Sequence, residues 1–209
     1  MKIFKNTSIT KSYKNSVLAI GNFDGVHVGH KKVLNSAFKK AKKIKKKFGL
    51  LTFEPVPVMF FNKKIKNHRL DTLPQKISNL KNEKLDFVII QKFNKRFSKL
   101  SYKDFIYKVL YKKIKCNFLY VSKNFKFGKK REGNVSKLKR FEKKCFYKTI
   151  ITPPLKKKKT TISSTIIRKL LKRGEIRKAN NLLNRKWEII GKVIKGSQRG
   201  RKMGFPTCN

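Results

Sequence analysis

Apolar residues along this chain fall in short runs separated by longer amphipathic stretches, which predicts an α/β fold built on a parallel sheet. Val17-Leu18-Ala19-Ile20, Gly49-Leu50-Leu51-Thr52-Phe53, Phe87-Val88-Ile89-Ile90 and Phe118-Leu119-Tyr120-Val121 read as buried strands. Their apolar residues do not alternate with polar ones, the pattern of strands covered on both faces. Helices are expected from about Lys31 to Lys47, from Arg69-Leu70-Asp71-Thr72 through about Leu80, and over Tyr102 to Lys113. Asp71 or Thr72 is suited to cap the second, and Ser101 the third. Phe105, Ile106, Val109 and Leu110 share one stripe of the third helix and mark core. A helix near Val135 to Phe141 and a strand near Phe146 to Ile151 follow. Ser164 or Thr165 can cap a helix to about Arg173, stopped by Gly174; Glu175 to Leu183 is the next helix, and Trp187 to Ile194 reads as a strand. Glu54-Pro55-Val56-Pro57 breaks off the second strand, since two prolines suit neither helix nor central strand, so a loop is expected at its carboxyl end.

Length and composition narrow this further. The 209 residues hold one large domain, or one domain and part of another, and 39% hydrophobic content suffices for a core. Neither a long apolar span nor a signal-like segment is found, so a soluble, unexported, cytoplasmic protein without a membrane partner is expected. Cys116, Cys145 and Cys208 are odd in number and far apart, which argues against a disulfide framework or a zinc site. The formal charge of +47 raises nucleic acid as a partner. However, lysines are spread over every segment and accompany abundant Asn, Ile and Phe, a pattern of adenine- and thymine-rich codons rather than of a patch. Non-specific nucleic-acid binding at low salt follows in either case. Oligomeric state is not legible.

Gly21-Asn22-Phe23-Asp24-Gly25-Val26-His27-Val28-Gly29-His30 joins the first buried strand to its helix. A helix start offers unpaired N–H groups and a dipole that favours an anion, and phosphate is the natural guest. Gly21, Gly25 and Gly29 allow close backbone approach, and His27 and His30, three apart, share a face in a first helical turn. Read alone, His-x-x-His fits equally a capped helix start or half a metal site. Thr160-Thr161-Ile162-Ser163-Ser164-Thr165-Ile166-Ile167-Arg168 is a second anion site by the same reasoning, with hydroxyls and an arginine at a helix start.

Asn-Phe-Asp-Gly-Val-His-x-Gly-His resembles the signature of bacterial FAD synthetases, a branch of the HxGH nucleotidylyltransferases. Three further segments resemble the family in order: Ser122 to Gly133, with Asn124, Phe125, Phe127, Gly128 and Gly133 at matching places; Ser163 to Arg168; and Gly200 to Asn209, similar to the start of a riboflavin kinase barrel. Thr52-Phe53-Glu54-Pro55-Val56-Pro57 also matches a family pattern. Departures are Ser122 for Gly, Thr161 for Arg and Cys208 for Ala. The resemblance implies a Rossmann-like parallel sheet over residues 1–184, followed by a truncated barrel fragment over 185–209. It implies FMN + ATP → FAD + pyrophosphate with Mg²⁺, in which His27 and His30 contact the triphosphate and Ser164, Thr165 and Arg168 hold its outer phosphates. Gly21, Asn22, Phe23, Asp24, Gly25, Gly29 and Ser163 would complete the nucleotide loop, and Asn124, Phe125, Phe127 and Gly128 the flavin pocket. Thr207 and Asn209 match Mg-ATP positions of the kinase, but two strands of about six cannot close a barrel, so kinase activity is not expected. Another HxGH nucleotidylyltransferase, a decayed enzyme, or a basic nucleic-acid binder remain alternatives.

Overall fold

Six short strands lie side by side in one parallel sheet, and helices cover both faces, as an unalternating apolar pattern requires. The computed structural model describes residues 1–65, 68–157, 160–191, 196–197 and 199–205. In chain order the first half comprises β1 (Lys2–Phe4), β2 (Val17–Ile20), α1 (Val28–Lys43), β3 (Phe48–Glu54), α2 (Pro57–Phe61), α3 (Leu73–Lys81) and β4 (Phe87–Lys92). Then come α4 (Lys95–Ser98), α5 (Tyr102–Asp104) running into a π-helix over Phe105–Ile114, β5 (Phe118–Ser122), α6 (Val135–Arg140), α7 (Glu142–Cys145) and β6 (Lys148–Thr152). A hairpin of β7 (Lys156–Lys157) and β8 (Thr160–Thr161) leads to α8 (Ser164–Lys172), α9 (Ile176–Leu183) and the single turn α10 (Arg199–Lys202).

The strand order is β1-β4-β3-β2-β5-β6. From β2 the chain builds outward through β3 and β4, then returns to add β5 and β6 on the other side. The order therefore reverses between β2 and β5, and the crevice outside their carboxyl ends is where such sheets bind ligands. Two apolar clusters cover the two faces; a smaller third one, Leu70, Ile167, Ala179 and Leu183, joins α8 and α9 to the sheet's upper edge, with Trp187 packed on it. Sheet closeness is strict at Gly49, which faces Phe87 in register; a Cβ there would fall 2.1 Å from the Phe87 ring. Gly49→Ala is expected to destabilise the protein by about 2 kcal/mol or more through overpacking, read as a lower urea midpoint at unchanged slope.

Several elements depart from the sequence reading. Pro57 opens α2 instead of a loop, because its missing N–H costs nothing at a first helical position. Thr72 alone caps α3, through a capping box with Gln75. Beyond Asp104 the expected α-helix widens to π geometry, which places Phe105 and Leu110, and Val109 and Ile114, five apart, all in the core. Strand β1 is three residues long and carried no recognisable pattern. Trp187 to Gly191 do not form the expected strand: the Trp187 N–H donates to Asn180 Oδ1 and the Glu188 carbonyl accepts from Gln75, so these backbone groups are spent on side chains. Residues 192–195, and Thr207 and Asn209, lie outside the described residues.

Candidate functional site

The β2–α1 loop rises from the switch point with a strained backbone. Phe23 (φ 46°), Gly25 (φ 83°) and Val26 (φ 38°) are all left-handed, a costly conformation for a buried aromatic and a β-branched residue. A Cβ at Gly25 would also press on Leu70 at 2.6 Å, so glycine is required twice over. His27 is the N-cap of α1, whose first residue, Val28, lies three before the expected start: its Nδ1 accepts the His30 N–H at 3.3 Å, as a serine cap would. The His30 ring stacks on His27, centroids 3.7 Å apart and planes at 17°, with Phe23 on its other side at 4.9 Å. A Cβ at Gly29 would lie 3.1 Å from the His27 ring.

Both imidazoles are neutral at pH 7. Burial drives the His27 pKa down to about 4, only partly offset by its own backbone hydrogen bond. Burial, then His27 and Lys76, hold His30 well below the usual range, and its buried Nδ1 has no hydrogen-bond partner. With Nδ1 of His27 accepting, its proton resides on Nε2. The pair can thus offer N–H donors to an anion without carrying charge beforehand. Protonation favours the unfolded chain, where histidine titrates near 6.5, so this stability is complete above pH 6.5 and is lost as the pH falls toward 4. His27 accounts for on the order of 3 kcal/mol of that loss, to be read from urea melts across this window and its absence in His27→Gln.

The start of α8 meets this loop directly. Ser163, not Ser164 or Thr165, caps α8 by accepting the Ile166 N–H, which releases Ser164 Oγ to donate to the Asp24 carbonyl at 2.8 Å. Arg168 Nη1 pairs with Asp24 Oδ2 at 2.6 Å and also reaches the His68 carbonyl. The other Asp24 oxygen accepts the Leu70 N–H at 2.8 Å. Asp24 is therefore a buried brace between the loop, α8 and the segment before α3, not a group facing a ligand. Thr165 is exposed, and the Ile162 carbonyl lies 3.6 Å from where a Cβ on Gly29 would be. Thr161 pairs across the hairpin with Lys156.

The loop after β5 brings Phe125 and Phe127 into a stack at 5.5 Å, with Phe127 buried against Phe105 and Phe125 half-buried. Gly128 is left-handed (φ 76°), and a Cβ there would meet the Tyr102 backbone at 2.8 Å. Phe127 and Gly128 hence shape the loop from within, while Asn124 is exposed at its tip. Across the same edge an aromatic group at the ends of β3 and β4 joins Phe53, Phe60, Phe61, Phe93 and Phe97, with Phe61 68% exposed.

The family model for FAD synthetase matches residues 9–166, and that for riboflavin kinase matches residues 183–209. The chain belongs to the FAD synthetase family. It is 42% identical over its whole length to a bifunctional riboflavin kinase/FMN adenylyltransferase of Buchnera aphidicola subsp. Schizaphis graminum, of which it covers 68%. The protein of the same description from Escherichia coli K12 is 34% identical over 92% of this chain and 62% of its own. The chain thus spans about two thirds of the length of these relatives. Among solved structures, one described as a macrolide-efflux protein from Streptococcus pneumoniae superposes over 99% of the chain with a TM-score of 0.81 at 26% identity, and supports the fold.

The residues that sequence reasoning missed stand behind the loop. Lys76, on α3, is buried with its Nζ 3.1 Å from the Asn22 carbonyl, which also accepts the Thr52 hydroxyl at 2.9 Å. Leu73, Lys76, Ile77 and Leu80 lie on one helical stripe, so a lysine at an apolar position was the available signal. Arg185 pairs with Asp71 at 2.5 Å, and Trp187 Nε1 donates to the Leu70 carbonyl, which ties the segment after α9 to the peptide that braces Asp24. A groove of about 270 Å³ on α8 and α9, lined by Ile162, Ile166, Leu170 and Leu182 among others, contains neither histidine. Among the described residues no helix is long and apolar enough to cross a membrane.

Proposed function

We propose that this chain transfers the adenylyl group of ATP to FMN, giving FAD and pyrophosphate. The carrying observation is that the starts of two helices far apart in the chain, α1 at Val28 and α8 at Ser164, converge on one strained loop, where Ser164 bonds Asp24 across 140 residues. Each start offers first-turn N–H groups to phosphate. A phosphate oxygen of FMN attacks the α-phosphorus of ATP, the bond to the bridging oxygen breaks, and pyrophosphate leaves with both electrons. Positioning and charge stabilisation lower this barrier with little covalent help. His27 and His30 donate N–H groups to the α-phosphoryl oxygens, while the Ser163 and Thr165 hydroxyls and the first-turn amides of α8, that of Ser164 among them, hold the β- and γ-phosphates. Arg168 keeps Nε and Nη2 for the same task, since its pairing with Asp24 uses Nη1 alone. Phe125, Asn124 and the exposed Phe61 flank the flavin.

The residues present do not fit a protein-held Mg²⁺. Asp24, Glu54 and Asp71 are each paired with an arginine, and among the described residues no three His, Cys, Asp or Glu converge. Mg²⁺ is therefore assigned to the substrate, as Mg-ATP. Cys116 and Cys145 are buried free thiols, which suits a reducing compartment such as the cytoplasm. Binding to nucleic acid through the +47 charge would be weak and lost with added salt.

The test is to incubate the purified 209-residue chain with Mg-ATP and either FMN or riboflavin, then separate the flavins and measure pyrophosphate. FAD from FMN, with no FMN from riboflavin, is expected. Absence of FAD sinks the reading, and FMN made from riboflavin assigns the kinase step to these residues as well.

A further inference from the structure

Among the described residues Lys76 is the only buried lysine or arginine, 1% exposed, in a chain with 57 of them. Burying an ammonium costs several kcal/mol unless it is paired, and an apolar side chain would fill the same stripe of α3 without that cost. Its contacts are two neutral oxygens, the Asn22 carbonyl at 3.1 Å and Thr52 Oγ1 at 3.5 Å. Three carboxylates act on it from nearby, Glu54, Asp24 and Asp71, but each already has its own arginine: Arg69 at 2.7 Å, Arg168 at 2.6 Å and Arg185 at 2.5 Å. Among the described residues none of the three lies within ion-pair distance of the Lys76 ammonium, on which they act only from further off. It lies under the strained peptide run from Asn22 to Val26, whose next residue is His27, and close enough to His30 to depress that imidazole's pKa.

We propose that Lys76 is a positioning residue for adenylyl transfer: its ammonium holds the Asn22 carbonyl, and so the left-handed loop that delivers His27, against the recoil of that strained backbone. The ammonium has no ion-pair partner of its own and sits beneath the loop, so the held loop geometry and the positive charge both serve the transition state, where negative charge spreads. Burial lowers the lysine's pKa, and the neighbouring carboxylates oppose the shift. This inference rests on the adenylyltransferase reading above.

The test compares the parent chain with Lys76→Met, which fills the space without charge, and Lys76→Gln, which keeps a donor for Asn22 without charge. Both are expected to lower kcat for FAD formation by on the order of 10²-fold, with KM for ATP within about threefold of the parent. The Tm of Lys76→Met is expected to equal or exceed that of the parent, since a buried charge is removed. The proposal is overturned by parent-like kcat in either variant, by an effect confined to KM, or by activity lost only in step with Tm. If Lys76→Met does not fold, Lys76→Gln decides; failure of both to fold makes the lysine structural and ends the proposal. A parent chain that forms no FAD overturns the underlying function, whereas an active parent with an equally active Lys76→Gln overturns the inference alone.

Discussion

Replacing His30 by alanine is expected to lower kcat for FAD formation by on the order of 10²-fold or more, while Tm stays within a few degrees of the parent. The two effects separate because of how His30 is held. Its Nδ1 makes no hydrogen bond in the free protein, so truncation breaks none, and the lost packing is one stacked contact at 3.7 Å and one tilted contact at 4.9 Å. What is lost is a preorganised neutral donor, stacked on His27 and in contact with Phe23. Such a donor is worth most where charge develops, in the transition state. His27→Ala differs in kind, because it also removes the cap of α1 and with it about 1 kcal/mol of stability. Steady-state pyrophosphate release against ATP concentration checks the first variant; turnover like that of the parent removes His30 from the reaction.

The second large effect is on stability. Asp24→Ala is expected to destabilise the fold by about 3 kcal/mol, because Asp24 is a 7% exposed carboxylate that joins three segments. It leaves the Arg168 guanidinium, 21% exposed, without its anion and the Leu70 N–H without its acceptor. Breaking such a pair costs more than the pair contributes, since the remaining charge stays desolvated. A double-mutant cycle with Arg168→Met isolates this: the double variant should recover part of the loss. Urea denaturation that finds Asp24→Ala within about 0.5 kcal/mol of the parent would remove the brace from the account.

Much of the scaffold was legible because burial on both faces leaves a local imprint. Val17 to Ile20 and Phe87 to Ile90 could be read from four residues each, and Ser101 and Thr72 announced their helices by side-chain chemistry. Errors fell where local preference leaves a choice that packing makes. Ser163, Ser164 and Thr165 can all cap a helix, and the Asp24 carbonyl selects by taking the Ser164 hydroxyl. Trp187 to Gly191 suit a strand, but among the described residues no strand pairs with them, and Asn180 and Gln75 take backbone groups of Trp187 and Glu188. Lys76 was passed over because a lysine in so basic a chain carries no information until its surroundings are known.

From its order of residues alone, this protein has its parallel α/β plan, the glycine-rich and hydroxyl-rich starts of two of its helices and the histidine pair at one of them. These depend on hydrophobic period, glycine placement and side-chain type within a few neighbours, all of which are local. Only the folded chain decided that Arg168 would neutralise Asp24, 144 residues away, that the histidines would stack with one capping the other, and that one lysine among 57 basic residues would be shut beneath the loop. Charges act on what is near in space and dry, and neither nearness nor dryness between distant segments exists until the strands have found their order.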